Sequence, residues 1–159
     1  MTIEEMIQAN IDTIDPELYN LLTYMNRVKG ITTTGSCFGH NRQECFIFGE
    51  AKDISTLQKF MRDYFYCNEL WDIKLYITDV LIDDGDWGKV LFCISSNPKY
   101  IDFPTLQLLV NNLTMTFKLR QSLPEYSNNL LLEVDNSVTL EDVIREVVIK
   151  ESEELENRE

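Results

Sequence analysis

The sequence predicts an α+β fold, in which helices pack on a mixed, partly antiparallel sheet within a single domain. Segments with helical spacing of apolar residues are interleaved with segments in which apolar and polar residues alternate. Two of the alternating segments flank a short polar turn and therefore predict a hairpin. The chain of 159 residues suits one ordinary domain. We expect this domain to span residues 1–150, and we interpret residues 151–159 as an acidic tail.

The N-terminal third predicts two helices and two strands. A capping box beginning at Thr2 marks a short helix. Asp15, followed by proline, is typical of the N-cap of a second helix, which Gly30 would end. Residues 31–35 are β-branched and predict a strand that leads into a turn, and residues 44–49 predict the next strand. Alternation along this second strand places Phe46 and Phe48 on one face and Cys45 and Ile47 on the other.

The rest of the chain continues the same interleaving of helices and strands. Apolar residues recur at helical spacing twice, and the two segments between them alternate around the predicted hairpin turn at residues 83–88. The predicted elements are a helix capped by Asp53 or Ser55, strands at 71–81 and 90–94, a helix at 103–121, a strand at 129–134 and a helix from Thr139.

The charge of the chain limits its partners. There are 14 basic and 27 acidic residues, and the formal net charge is −13. Residues 135–159 carry −6 of this charge, so the remainder of the chain is acidic as well. Such a field repels phosphate backbones and anionic lipid, so we expect neither a nucleic acid nor a membrane as partner. A pocket for one small anionic ligand is compatible with this net charge.

The N-terminus and the cysteines favour a cytoplasmic location. The first residues are acidic and lack the apolar core of a signal peptide, and no apolar run has the length of a membrane span. The four cysteines show no paired spacing, which favours reduced thiols over a disulfide framework. They are Cys37, Cys45, Cys67 and Cys93.

Residues 36–40 form the polar turn that we interpret as the functional site. Gly35 and Gly39 permit backbone conformations in which N–H groups approach a ligand closely. His40 is the single histidine of the chain. A hydroxyl, a thiol, an imidazole and a guanidinium close together suit the binding of a carboxylate or a phosphate. The predicted ligand-binding residues are Thr34, Gly35, Ser36, Cys37, Gly39, His40 and Arg42.

Three other interpretations of this turn stay open. It is a structural turn if Cys37 is buried as a small apolar residue. Cys37, His40 and Cys45, with Cys67 as a fourth ligand, offer zinc-type donors, although their spacing is not that of a standard zinc motif. Cys37 would be a nucleophile if His40 activated it and a third group oriented the imidazole. We assign no catalytic residue, because an acidic chain opposes formation of a thiolate. We assign no metal, because isolated cysteines are more often core residues than ligands, and no cofactor.

Residues 26–48 carry a motif that resembles known proteins. The segment 31–40 reads I-x-T-x-x-S-C-x-G-H and is followed by an aromatic strand. It resembles small phage and prophage proteins of unassigned function, and the likeness extends over about residues 15–120. The segment is also similar to the T-T-S-S-C-S-G-R motif of the tRNA wybutosine-synthesizing protein 3 family. The members of this family are S-adenosylmethionine-dependent methyltransferases. Here Gly35 stands in place of a serine and His40 in place of the arginine.

These observations lead to one expected function and two alternatives. The expected function is a phage-type accessory protein that binds a small polar, nucleotide-like ligand without converting it, as in the sequestration of a host immune signal. A phage-encoded protein of this kind would act in the host cell cytoplasm. The first alternative is a methyltransferase-like enzyme related to wybutosine synthesis. The second is an acidic inhibitor that mimics nucleic acid. A homo-oligomer is also expected, with the C-terminal helix as its interface.

Overall fold

In the computed structural model, the helix marked by Asp15 begins where the sequence predicts it. A 3-10 turn at Pro16–Leu18 leads directly into helix α1, Tyr19–Asn26. The apolar residues of this segment, Leu18, Leu21, Leu22 and Met25, are all buried. The structure describes residues 2, 5, 14–40, 42–66, 68–77, 90–122, 132–146 and 148–149, without the side chains of residues 76 and 77.

The described strands form one antiparallel sheet. They are β1 (Ile31–Cys37), β2 (Phe46–Ala51), β3 (Trp71–Ile77) and β4 (Val90–Ser96). Their order across the sheet is β1-β2-β4-β3, and all three pairings are antiparallel. The α+β class is thereby confirmed, and the predicted hairpin partners, β3 and β4, do pair. The predicted turn at residues 83–88 lies outside the described residues.

Each face of the sheet has a distinct environment. Ile47 of β2 and Ile94 of β4 lie opposite each other and are fully buried on the inner face. The outer face carries Gly35, Phe48, Cys93 and Lys74, which lie side by side in one row across all four strands. Phe48 is 42% exposed. The predicted alternation of β2 is therefore confirmed.

Two long helices complete the core over the inner face. Helix α2 (Ile54–Phe65) begins at Asp53, whose carboxylate accepts from the Thr56 N–H at 2.7 Å. Helix α3 spans Phe103–Gln121, the range that the sequence predicts. The Tyr64 ring of α2 stacks on the Phe117 ring of α3, with centroids 4.1 Å apart. None of the helices in the described ranges is long and apolar enough to span a membrane.

The C-terminal helix packs against its own chain. Residues 140–146 form helix α4. Thr139 and Asp142 form reciprocal hydrogen bonds at its start. Ile144 and Val148 are buried against Ile14 and Leu140. Apolar residues that the sequence offered for an oligomer interface are therefore covered within one chain, and the homo-oligomer stays a prediction.

The structure differs from the sequence prediction at several element boundaries. Strand β2 spans Phe46–Ala51 and not residues 44–49, and β4 continues to Ser96, two residues beyond its predicted end. Strand β1 continues to Cys37, so Ser36 and Cys37 belong to a strand and not to a turn. The strand extends because each of these residues pairs with β2. Helix α1 ends at Asn26, before Gly30, although Gly30 does adopt a positive φ of 87°. Asn26 accepts the Thr33 N–H at 2.9 Å, which ties the end of the helix to β1.

The predicted strand at residues 129–134 appears in its described part as a single bridge. Val134 pairs antiparallel with Val28, in the connection between α1 and β1. Hydrogen bonds on either side of this bridge join Lys29 to Glu133 and Asp135 to Arg27 through the backbone. At the N-terminus, Thr2 and Glu5 form the predicted capping box.

Candidate functional site

The chain leaves β1 through a loop at residues 38–45 whose conformation is fixed by packing. Phe38 is buried, and its ring lies edge-on to that of Phe103 at the start of α3. Gly39 has a φ of +102°, and a Cβ at this position would collide with the carbonyl oxygen of Gln43. Only glycine fits there. The predicted functional turn therefore has a specific shape, set by a buried aromatic ring and a glycine.

Asp15 holds this loop to the start of the first helix. Its carboxylate makes no capping hydrogen bond to the helix that follows it. Instead, Oδ2 accepts the Phe38 N–H at 2.8 Å, and Oδ1 lies 3.0 Å from His40 Nε2. The backbone donor and the imidazole that the sequence suggested for an external anion thus already bind a carboxylate of the chain. The sequence identified Asp15 as a cap but not as the partner of His40.

A second carboxylate joins this pair. Asp15, Glu17 and His40 each offer one ligand atom, and the three atoms lie within 4.8 Å of one another. The Asp15 side chain is 22% exposed and that of His40 is 51% exposed, so the group lies at the surface with its acids partly buried. Sequence reasoning missed Glu17. Nothing in a local pattern reveals a partner that lies more than twenty residues away.

The seven predicted ligand-binding residues fall into separate groups. Within β1, Gly35 and Cys37 point to the outer face, whereas Ser36 lies opposite the inner-face residue Ile47. Thr34 occupies an irregularity in the pairing of β1 with β2. The loop holds the other three, which are Gly39, His40 and Arg42. One turn does not gather these residues, because alternation along a strand sends neighbours to opposite faces.

Among the described residues, the cysteines do not belong to a metal-type group. The Cys45 thiol is fully buried, and burial, followed by the charges of Cys37 and Asp15, raises its pKa to about 12. A thiol of this kind stays protonated near neutral pH. Among the described residues, His40 forms a metal-type group with two carboxylates and not with cysteines. Cys67 lies outside the described residues.

Cys45 instead has a structural role just before β2, at the end of the two central strands. Its N–H donates to Ser96 Oγ at 2.9 Å, and the Ser96 N–H donates to the Cys45 carbonyl at 2.8 Å. Both residues are fully buried. These two bonds attach the loop to the end of β4.

The outer face contains a shallow cavity beside the predicted site. It has a volume of about 360 Å³ and is lined by Thr34, Phe48, Gly49, Leu91 and Phe92. Its walls are largely apolar. Of the seven predicted site residues, Thr34 lines this cavity and Gly35 lies directly beside Phe48. Sequence alternation predicted that Phe48 lies on the face opposite Cys45 and Ile47, but only the strand order shows which residues surround it.

Lys74 supplies a positive charge on the same face. It is exposed on β3 and lies opposite Cys93, which in turn lies opposite Phe48. Burial raises the pKa of the Cys93 thiol, and the Lys74 charge opposes this effect. Two aromatic rings, two thiols and one ammonium group thus share the outer face with the carboxylates of Glu50 and Asp72. Lys74 cannot be identified from the sequence, because its position beside Cys93 depends on how β3 pairs with β4.

Comparisons with known proteins do not assign this fold or its site. No protein-family model matches the chain, and searches of curated proteins and of solved structures returned no match.

Proposed function

We propose that the protein binds a small polar, nucleotide-like ligand on the outer face of the sheet and holds it unaltered. The observation that carries this proposal is the exposed Phe48 ring beside Gly35, with a cation in the same row. The site is thereby moved from the turn to the sheet surface that adjoins it. Thr34, Gly35 and Cys37 of the predicted site remain part of it.

The space over Phe48 suits a planar ring. A Cβ added at Gly35 would lie 3.9 Å from Phe48 Cδ2, so the glycine leaves room that a longer side chain would fill. Aromatic side chains stack on nucleobases regardless of the base, since every base has a π face. The adjoining cavity of about 360 Å³ is within the usual range of small-molecule sites.

Lys74 is placed to pair with an anionic group of the same ligand. It lies two strands away from Phe48, which corresponds to about 10 Å at the usual strand spacing. The flexible four-carbon stem of Lys74 can bring its ammonium group to the phosphate of a nucleotide stacked on Phe48. The net charge of −13 disfavours a long polyanion, so a single nucleotide fits the charge better than a nucleic acid.

Binding without conversion supports a role in sequestration. The nucleophile would be Cys37, but this residue points to the outer face of the sheet, whereas His40 Nε2 lies against the Asp15 carboxylate. This arrangement gives little support to a Cys–His nucleophile. Together with the phage-like motif, it favours an accessory protein that retains a nucleotide signal of the host immune system.

The test combines ligand release with titration. Heat denaturation of the purified protein, followed by mass spectrometry of the filtrate, identifies any molecule that co-purifies. Titration calorimetry with AMP, GMP, CMP, UMP and S-adenosylmethionine then measures binding to the ligand-free protein. Phe48→Ala should abolish binding of the best ligand. The matched control is Leu119→Ala on α3, which removes a side chain that is 60% exposed and lies away from the sheet.

The same experiment separates the proposal from its alternatives. Transfer of a methyl group from S-adenosylmethionine would identify an enzyme and overturn retention without conversion. Failure of all five compounds, with nothing released on denaturation, would overturn the nucleotide-like ligand and favour the acidic inhibitor. Binding that survives Phe48→Ala would place the site elsewhere.

A further inference from the structure

The side chains of Asp15, Glu17 and His40 meet where the loop after β1 crosses the start of the first helix. One ligand atom of each lies within 4.8 Å of the other two. Asp15 and His40 are 25 residues apart in sequence, so the fold creates this group. It is separate from the outer face, and its function does not depend on the ligand proposed there.

Glu17 indicates that the group is incomplete without a cation. In the described part of the chain, Glu17 Oε2 is inaccessible to solvent and has no hydrogen-bond partner. A carboxylate oxygen removed from water without a donor is costly, and a second carboxylate within 4.8 Å adds repulsion. A divalent ion bound between the two acids would compensate both effects.

The spacing of His40 Nε2 and Asp15 Oδ1 is close to that of two zinc ligands. Two ligand atoms at about 2.1 Å from zinc, at a tetrahedral angle, lie about 3.4 Å apart. His40 Nε2 and Asp15 Oδ1 are 3.0 Å apart, so an ion that replaces the shared proton needs only a small displacement of the two side chains. Asp15 Oδ2 would keep its bond to the Phe38 N–H, which orients the carboxylate as outer hydrogen bonds do in metal sites.

We propose that Asp15, Glu17 and His40 bind one divalent transition-metal ion of the zinc class. An imidazole nitrogen selects such ions over magnesium and calcium, which take oxygen ligands. Three protein ligands leave one position for water or for a donor atom of a bound molecule. His40 is half exposed, which gives the ion a route from solvent.

The experiment measures zinc binding to the full-length, chelator-stripped protein. Zn²⁺ alone is titrated against a chromophoric competitor near neutral pH, with circular dichroism to confirm that each variant is folded. The wild type should bind one ion. Glu17→Gln and His40→Ala should each weaken binding by more than the roughly 10–100-fold loss that removal of an outer hydrogen bond causes. Glu44→Gln, in the same loop, and Cys37→Ser are the matched controls and should leave the affinity unchanged.

A second measurement does not require any variant. Because His40 is the single histidine, its ring nitrogens give one set of NMR signals. Zinc should shift the Nε2 signal. The proposal is overturned if zinc does not change this signal, or if Cys37→Ser abolishes binding while Glu17→Gln retains it. Neither result would bear on ligand binding at Phe48.

Discussion

Asp15 connects two parts of the chain through both of its carboxylate oxygens. Oδ2 satisfies the backbone N–H of the buried Phe38, and Oδ1 contacts His40. A buried N–H without a partner is costly, so this single side chain determines whether the loop after β1 keeps its shape. Neither glutamate nor asparagine is equivalent to aspartate at this position. Glutamate has a longer side chain, and asparagine has one acceptor oxygen where aspartate has two.

We expect Asp15→Ala to lower the free energy of unfolding by about 1–3 kcal/mol, because it leaves the Phe38 N–H without an acceptor. Asp15→Asn should cost less, since its amide oxygen can still accept that bond. Urea denaturation measures both changes. Asp72→Ala, at an exposed position on β3, serves as the control and should have little effect. Equal stability of Asp15→Ala and the wild type would show that the bond is not important.

Cys45 gives the protein a specific sensitivity to alkaline pH. Its pKa is about 12 in the folded chain, against an ordinary value of 9.0. Below pH 9 the thiol is protonated in both states, so its contribution is constant. At higher pH the unfolded chain loses the proton first, and stability falls by up to about 1.4 kcal/mol per pH unit until the folded pKa is reached.

The measurement compares wild type with Cys45→Ala by urea denaturation at neutral and alkaline pH. The variant should lose less stability as the pH rises, whatever its stability at neutral pH. Parallel pH profiles would contradict the assignment of this effect to Cys45.

The start of helix α2 depends on its cap. Asp53 accepts a hydrogen bond from the Thr56 N–H, and hydrogen bonds from Thr56 lower the pKa of the Asp53 carboxyl. A group with a lowered pKa stabilises the fold above its ordinary pKa of 3.8, and this contribution disappears as the pH falls through the folded value.

Asp53→Ala should therefore destabilise the protein by about 1 kcal/mol at neutral pH, as loss of an N-cap usually does. Asp53→Asn should preserve most of the stability, because asparagine is an equally good cap. As the pH falls through the pKa of Asp53, only the wild type should lose the stability that the ionised carboxylate contributes. Urea denaturation at neutral and acid pH measures this loss. A wild-type acid profile identical to that of Asp53→Asn would exclude the carboxylate as its source.

Two glycines in the paired strands should respond in opposite ways. A Cβ at Gly49 would lie 2.9 Å from the Thr32 carbonyl oxygen and closer still to the Phe92 ring. Gly49→Ala should cost about 1–3 kcal/mol through overpacking. Gly35→Val should change stability by less than about 0.5 kcal/mol, because among the described residues only the edge of the Phe48 ring lies within 4 Å of a Cβ at this position. It should still block the proposed ligand, which calorimetry would show.

The C-terminal helix belongs to the body of the molecule. Val143, Ile144 and Val148 are almost fully buried, and burial of one such side chain contributes about 1.5–3 kcal/mol. Truncation to residues 1–138 removes all three and should lower the thermal unfolding midpoint strongly. Truncation to residues 1–150 removes only acidic sequence with a net charge of −4 and should leave the midpoint nearly unchanged. Similar midpoints for both truncations would show that α4 is dispensable.

Local patterns determined the elements that depend on near neighbours in the chain. The bounds of α3 and the alternation of Cys45 and Ile47 follow from residues within one or two turns or strand repeats. The hairpin pairing of β3 with β4 also followed, because its strands are consecutive. For these features the sequence alone was sufficient.

The tertiary structure alone decided which distant residues meet. The insertion of β4 between β2 and β3 placed Lys74 in line with Phe48, and the pairing of β1 drew Ser36 and Cys37 into a strand. The same fold brought Asp15 and Glu17 to His40. Local periodicity carries no information about such contacts. They are set by burial of the core and by pairing of backbone groups across the sheet, which act between segments far apart in sequence.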